Sequence, residues 1–391
     1  MKKIAVVTGG RQDYGLYYYI FKEMIETKKI DIKIIATAMH MTSDQNYSYK
    51  EIEKDGFNIS KKIDVELSGG DPDSISKSIG LGTIRFGEYF EKIKPDMLLI
   101  LGDRFEMLSA ASAALPFNIP IAHIGGGAIS EGAIDNVIRN CLTKFSHLHF
   151  ANDEIGRKRI ISMGEEPWRV KIVGSPRLDF LNKKYNVKYF SREELKNILD
   201  INFNKKLILV VYHPVTLEFK STEKQIKNIF KSFKKVNDKY ECDFIFINPN
   251  LDTSGRKIIE EINKQSRVNK NYKVFKSLDR VTYLSLLKYV DVMVGNSSSG
   301  IIEGPSFQLP FVCIGNRQKG RDKAINVLDV GYNSSEIYDA IKKSLNDENF
   351  LKKICSLKNP FGDGHSAERI VKILDEIKIN ENFVRKKYVE K

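Results

Sequence analysis

The chain has 391 residues, of which 42% are hydrophobic and 29% charged, and its formal net charge is +13. That length predicts two or three domains, each with its own core. The composition is that of a soluble globular protein, and no apolar run reaches the eighteen or more residues of a membrane helix. The excess charge is mostly lysine spread through 183–288, without arginine-aromatic interleaving, so it reads as solvated surface and neither nucleic acid nor membrane is an expected partner. Cys141, Cys242, Cys313 and Cys355 lie far apart, with no C-x-x-C pair or His/Cys cluster. No disulfide framework or metal is therefore expected, and each cysteine is expected as a small core residue.

The apolar run 3–8 stops at Thr8, which predicts a strand rather than a signal peptide and a cytoplasmic protein. A glycine-rich loop, 9–15, and a helix over 16–26 follow. Further strands are predicted at 32–37, 96–101, 119–124, 148–151 and 170–173. Helices are predicted at 43–55, 74–94, 105–115, 133–144 and 155–163. The break at Gly174–Pro176 predicts a domain boundary, giving domains over 1–175 and 176–365. The second series has strands at 207–212, 243–247, 272–275, 291–294 and 311–314. A last helix from Ser366, within 366–391, is expected to cross back to the first domain. Strands alternating with helices, twice over, predict two Rossmann-like parallel α/β domains, and ligands in such sheets bind beyond the carboxyl ends of the strands.

The stretch 295–321 carries the clearest chemistry. Ser297, Ser298 and Ser299 open a predicted helix over 300–307, where free N–H groups and hydroxyls make an anion seat. Glu303 lies one turn on and can accept from both hydroxyls of a ribose. Arg317 and Arg321 add cations after the next strand. The stretch therefore reads as a grip for a nucleoside diphosphate. Other polar residues gather at predicted strand ends: Arg11 and Asp13, Asp103 and Arg104, His123, then Glu131, Asp135 and Arg139. In the second domain they are His213, Asn248, Asn250 and Asp252. Several have plainer readings: Asp103 as a helix cap, Asp135 and Arg139 as a surface pair, His213 as a core histidine.

The motifs GGRQDYG (9–15), LGDRFE (101–106), HIGGG (123–127), EGAIDNVIRN (131–140), YHPVT (212–216), NPNLDTSGR (248–256), GNSSSGIIEGPSF (295–307), IGNRQKGR (314–321) and NPFGDG (359–364) run in order through the chain. Together they resemble the UDP-N-acetylglucosamine 2-epimerases, in particular the hydrolysing branch that serves sialic acid and related nonulosonic acids, such as legionaminic acid. The resemblance implies two Rossmann-like domains facing across a cleft, as in many glycosyltransferases, with no cofactor or metal, in a homodimer or homotetramer. It implies that Ser297 and Ser298 contact the diphosphate and Glu303 the ribose. Arg11 and His213 are placed near phosphates and sugar, and Asp103 and Asp135 carry chemistry. Arg104, Arg139, Asn250 and Asp252 complete the expected set. One departure stands out: Ala128 occupies the place of an expected catalytic glutamate, and Glu131 is the nearby replacement. The implied substrate is UDP-GlcNAc, or a 2,4-diacetamido-trideoxy sugar on UDP or GDP. The implied reaction eliminates the nucleoside diphosphate and hydrates the glycal to the free 2-epimer. A reversible epimerase, a glycosyltransferase and a non-catalytic nucleotide-sugar binder are the alternatives.

Overall fold

Apolar runs with no polar face build both sheets. In the computed structural model, which describes residues 1–43, 47–65, 72–129, 134–249 and 255–389, all five residues of Met97–Leu101 are buried. So are all four of Phe311–Ile314. Strands of this kind require cover on both faces, and the helices supply it. The chain divides into two compact units.

The first unit comprises 1–129, 134–182 and 361–391. Its strands are β1 (Lys2–Thr8), β2 (Ile30–Thr37), β3 (Ile59–Ile63), β4 (Met97–Leu101), β5 (Ile121–Ile124), β6 (Leu148–Ala151) and β7 (Val170–Ile172). They form one parallel sheet in the order β3-β2-β1-β4-β5-β6-β7. The second unit has β8 (Lys206–Val211), β9 (Cys242–Ile247), β10 (Tyr272–Phe275), β11 (Val292–Gly295), β12 (Phe311–Ile314) and β13 (Val327–Val330). Its parallel order is β10-β9-β8-β11-β12-β13. Both orders are Rossmann-like. Each sheet reverses its winding between two central strands, β1 and β4 in one and β8 and β11 in the other. Such switch points open a crevice at the strand ends.

The chain leaves the first unit after Asn182 rather than at the glycine-proline break near 175. Asp179 is fully buried, and its two carboxylate oxygens accept from the N–H groups of Ser366 and Ala367 at 2.7 and 2.9 Å. It thereby caps the last long helix, Ser366–Glu376, which packs on the helix Arg11–Glu26. Beyond it, fully buried Arg169 donates to the carbonyls of Phe383 and Arg385 at 2.7 and 3.0 Å.

Several local expectations change. The first helix begins at Arg11 rather than 16, because extended Gly10 caps it and 11–15 already turn helically. Only Tyr49–Lys54 is α-helical within the described part of 43–55. The helix after the serines stops at Ile302 and continues as a tighter turn, Gly304–Phe307, where Pro305 cannot donate. Cys242 and Cys313 are buried, but Cys141 and Cys355 are exposed, each on the outer side of an amphipathic helix.

Candidate functional site

In the first unit, β1 delivers Gly9 and Gly10 and then the helix that carries Arg11 and Asp13. Arg11 is half-exposed and pairs with Glu51 at 2.5 Å. Asp13 is buried, and its carboxylate accepts from the Gly9 N–H at 3.2 Å. Burial, then the charge of Glu106, pushes the Asp13 carboxyl up to about 7, against the pull of Arg104 and Arg177. Glu106 is fully buried and accepts from Arg104 Nε at 2.9 Å. A Cβ on Gly9 would lie 1.9 Å from Glu106 Oε1, so only glycine fits there.

The end of β4 carries Asp103. It does not cap the following helix: the capping position is Arg104, and no side chain caps it. Asp103 instead forms an ion pair with Arg139, which is buried and also donates to the Ala128 carbonyl at 2.9 Å. Arg139 therefore lies inside rather than at the surface, and it ties the β4 end to the loop after β5. Asp135 sits in the first turn of the helix Ile134–Phe145, and its charge reaches Arg104. His123 is buried, donates from Nε2 to the Gly102 carbonyl at 2.7 Å, and burial holds its pKa down at about 4. It is a neutral brace for the β4 end. Glu131, Asn250 and Asp252 lie outside the described residues.

In the second unit the switch point is closed by Asn296. Asn296, fully buried, accepts from the His213 N–H at 2.7 Å and donates to the His213 carbonyl at 2.8 Å. This pair of bonds locks the ends of β8 and β11 together. Gly295 permits it: its φ is +140°, and a Cβ would meet the Val211 carbonyl at 2.0 Å. The Asn296 carbonyl accepts from Arg317 at 3.2 Å and Gln318 at 2.8 Å, which brings the basic loop after β12 to the same place. Burial, then the charge of Arg317, pushes His213 down to about 3, so its imidazole is neutral. The Ser297 hydroxyl accepts from the Ser299 N–H at 3.3 Å, and Ser299 Oγ accepts from Tyr283 at 2.6 Å. Glu303 is 9% exposed at the end of the short helix Ser299–Ile302. Arg321 closes the basic turn through its N–H to the Gln318 carbonyl at 3.3 Å.

Within the second unit, Ser297, neutral His213 and Arg317 gather around Asn296 at the switch point; within the first, Asp103 stands at the end of β4. Among the described residues no group of three or more His, Cys, Asp or Glu is placed to hold a metal ion. No helix there is long and apolar enough to cross a membrane. Glu106, Asn296, Gln318 and Tyr283 escaped the sequence reading, although all but Tyr283 stand inside the motifs quoted above.

The profile of the family described as UDP-N-acetylglucosamine 2-epimerase matches residues 22–375. The chain belongs to this family. Among UDP-N-acetylglucosamine 2-epimerase family relatives, it is 40% identical over 339 residues to the "GDP/UDP-N,N'-diacetylbacillosamine 2-epimerase (hydrolyzing)" of Campylobacter jejuni, covering 86% of this chain and 85% of the other. It is 35% identical over 386 residues to the "UDP-N,N'-diacetylbacillosamine 2-epimerase (hydrolyzing)" of Legionella pneumophila, covering 99% of each. The fold matches the crystal structure of the UDP-GlcNAc 2-epimerase from Neisseria meningitidis bound to UDP-GlcNAc. The TM-score is 0.80 at 21% identity, over 96% of this chain and 99% of that one.

Proposed function

We propose that the protein is a hydrolysing 2-epimerase of a nucleotide-activated 2-acetamido sugar. The observation that carries this reading is the 40% and 35% identity, over most of the chain, to two relatives named as hydrolysing epimerases. Both names favour a UDP- or GDP-linked 2,4-diacetamido-2,4,6-trideoxy sugar over UDP-GlcNAc. The product suits the biosynthesis of nonulosonic acids of the sialic or legionaminic type, in the cytoplasm, by a homodimer or homotetramer.

The second unit takes the nucleotide: Ser297, Ser298 and Ser299 with Arg317 and Arg321 on the diphosphate, Glu303 on the ribose. Asn250 and Asp252 belong to the same set. The first unit supplies the carboxylates. One of Asp103, Asp135 and Glu131 removes the weakly acidic proton on sugar C2, and another serves as the acid. As the C1–O bond breaks, electrons pass to the leaving diphosphate, where Arg11, neutral His213 and the serine hydroxyls stabilise the charge. Arg11 exchanges its Glu51 partner for the phosphate in doing so. Water then adds to the glycal with C2 inverted. Arg139 holds Asp103 in place, and Arg104 adds positive charge on the sugar side.

Ala128 favours one rival, a binder without turnover. Incubation with UDP-GlcNAc and with UDP- and GDP-diacetamido sugars, without an acceptor, separates the readings. The account expects free 2-epimer and nucleoside diphosphate. Epimerised but intact nucleotide sugar contradicts it in favour of a reversible enzyme, and no turnover contradicts it in favour of a binder or transferase.

A further inference from the structure

Two buried carboxyl groups beside Arg104 have no part in the reaction just described. Asp13, one of the polar residues gathered at the strand ends, is turned inward to the Gly9 N–H. Glu106, fully buried, gives one oxygen to Arg104, while its Oε2 has no hydrogen-bond partner. Both carboxyls close on the same residue, Gly9, whose lack of a side chain admits Glu106. The other groups facing Asp13 are Arg177 and the buried Tyr17, whose hydroxyl has no hydrogen-bond partner and which burial keeps neutral. Two buried carboxylates side by side cannot both ionise cheaply, and the second is favoured to keep its proton. Arg104 keeps part of its side chain exposed, at 38%, while its Nε is held by Glu106.

We propose that Asp13 and Glu106 form a buried pair that holds a single proton, and that this proton sets the net charge which Arg104 presents to the anionic substrate. Asp13 and Glu106 are positioning residues that act through Arg104. Asp135 acts on Arg104 in either state. With the proton in place, the pair adds one negative charge to it; when the proton leaves the pair adds two, and the attraction for a nucleoside diphosphate falls. The Asp13 carboxyl, displaced to about 7, puts this change close to neutrality. The proposal rests on the nucleotide-sugar reading for its ligand, but the proton itself is observable without turnover.

Infrared difference spectra of the free enzyme between pH 6 and pH 8 test the pair directly, and calorimetric titration with UDP across the same range tests its effect. The wild type should show a protonated carboxyl stretch that disappears as the pH rises. Its Kd for UDP should rise about fivefold with the same midpoint, the scale of one unit charge in a largely hydrated site. Asp13→Asn should abolish the change in the carboxyl stretch and flatten the Kd profile to what the terminal phosphate of UDP, with a pKa of about 6, gives by itself. Glu106→Gln should move both to lower pH, because the neighbouring charge is gone while burial remains. A wild type with no carboxyl stretch titrating in this range overturns the proposal, and needs no variant to fold. So does a pH dependence of Kd undiminished in Asp13→Asn, or a carboxyl midpoint unmoved in Glu106→Gln. Failure of UDP to bind at any pH, with the carboxyl stretch intact, contradicts the nucleotide reading and the role of Arg104 but leaves the shared proton established.

Discussion

Glu303 is almost buried at the end of a four-residue helix. If it grips the ribose, Glu303→Ala loses a charge-assisted contact of about 1.5–3 kcal/mol. Affinity for UDP and GDP should then fall by roughly tenfold to a hundredfold. Calorimetric titration checks this, and unchanged affinity for both nucleotides removes Glu303 from the site. The two aspartates are tested differently. Asp103→Asn and Asp135→Asn should each slow turnover by on the order of a hundredfold or more, the scale of a lost general acid or base. Asp103 also pairs with buried Arg139, so the asparagine, which keeps the shape, is the right replacement, and circular dichroism must show each variant folded. Near-normal turnover in Asp135→Asn would make that carboxylate a helix-end charge and nothing more.

At the level of elements, the sequence revealed what burial writes into it. Strands such as Met97–Leu101 and Phe311–Ile314 were legible because parallel sheets need apolar residues on both faces. The strands Ile59–Ile63 and Val327–Val330 were not, because each lies at a sheet edge and carries exposed lysine or aspartate that breaks the apolar run. The serine loop was legible, whereas the Asn296 clamp on His213 joins residues 83 apart in sequence. The ion pair of Asp103 with Arg139, 36 residues apart, escaped for the same reason. The loop after β5 is where element and chemistry meet. Ala128 cannot transfer a proton, and its carbonyl is held by Arg139. Glu131, three residues on, is the carboxylate available to take over. Glu131→Gln should therefore reduce turnover strongly, and Ala128→Glu in that background should restore part of it. A fully active Glu131→Gln contradicts the takeover. Activity that arises only with Ala128→Glu, from an inert wild type, would make the natural protein a binder.

On the scale of the whole molecule, the first unit buries His40, His123, His147 and His149, and the second holds His213 partly buried. Burial pushes His40, His123 and His147 down to about 4 and His213 to about 3, while the unfolded chain protonates them near the ordinary value of about 6.5. Their folded pKa values are depressed, so the stability they contribute is complete above about pH 6.5 and is lost as the pH falls toward 4. Asp13, raised in the fold, acts in the opposite sense: its contribution is complete below about pH 4 and is lost as the pH rises through about 7. His149 is held down by burial as well, so the depressed histidines outnumber the one raised aspartate and the unfolded chain binds more protons than the folded one at pH 5. Denaturant unfolding at pH 7.5, 6 and 5 should show stability falling steeply over the last step, and a flat or rising profile would contradict the neutral histidines. The elimination itself is the central claim, and product analysis in deuterated water tests it most directly. Proton abstraction at C2 followed by hydration places solvent hydrogen on that carbon. The free 2-epimer should therefore carry deuterium at C2 by NMR, whereas a released sugar that keeps its original C2 proton throughout would contradict the account.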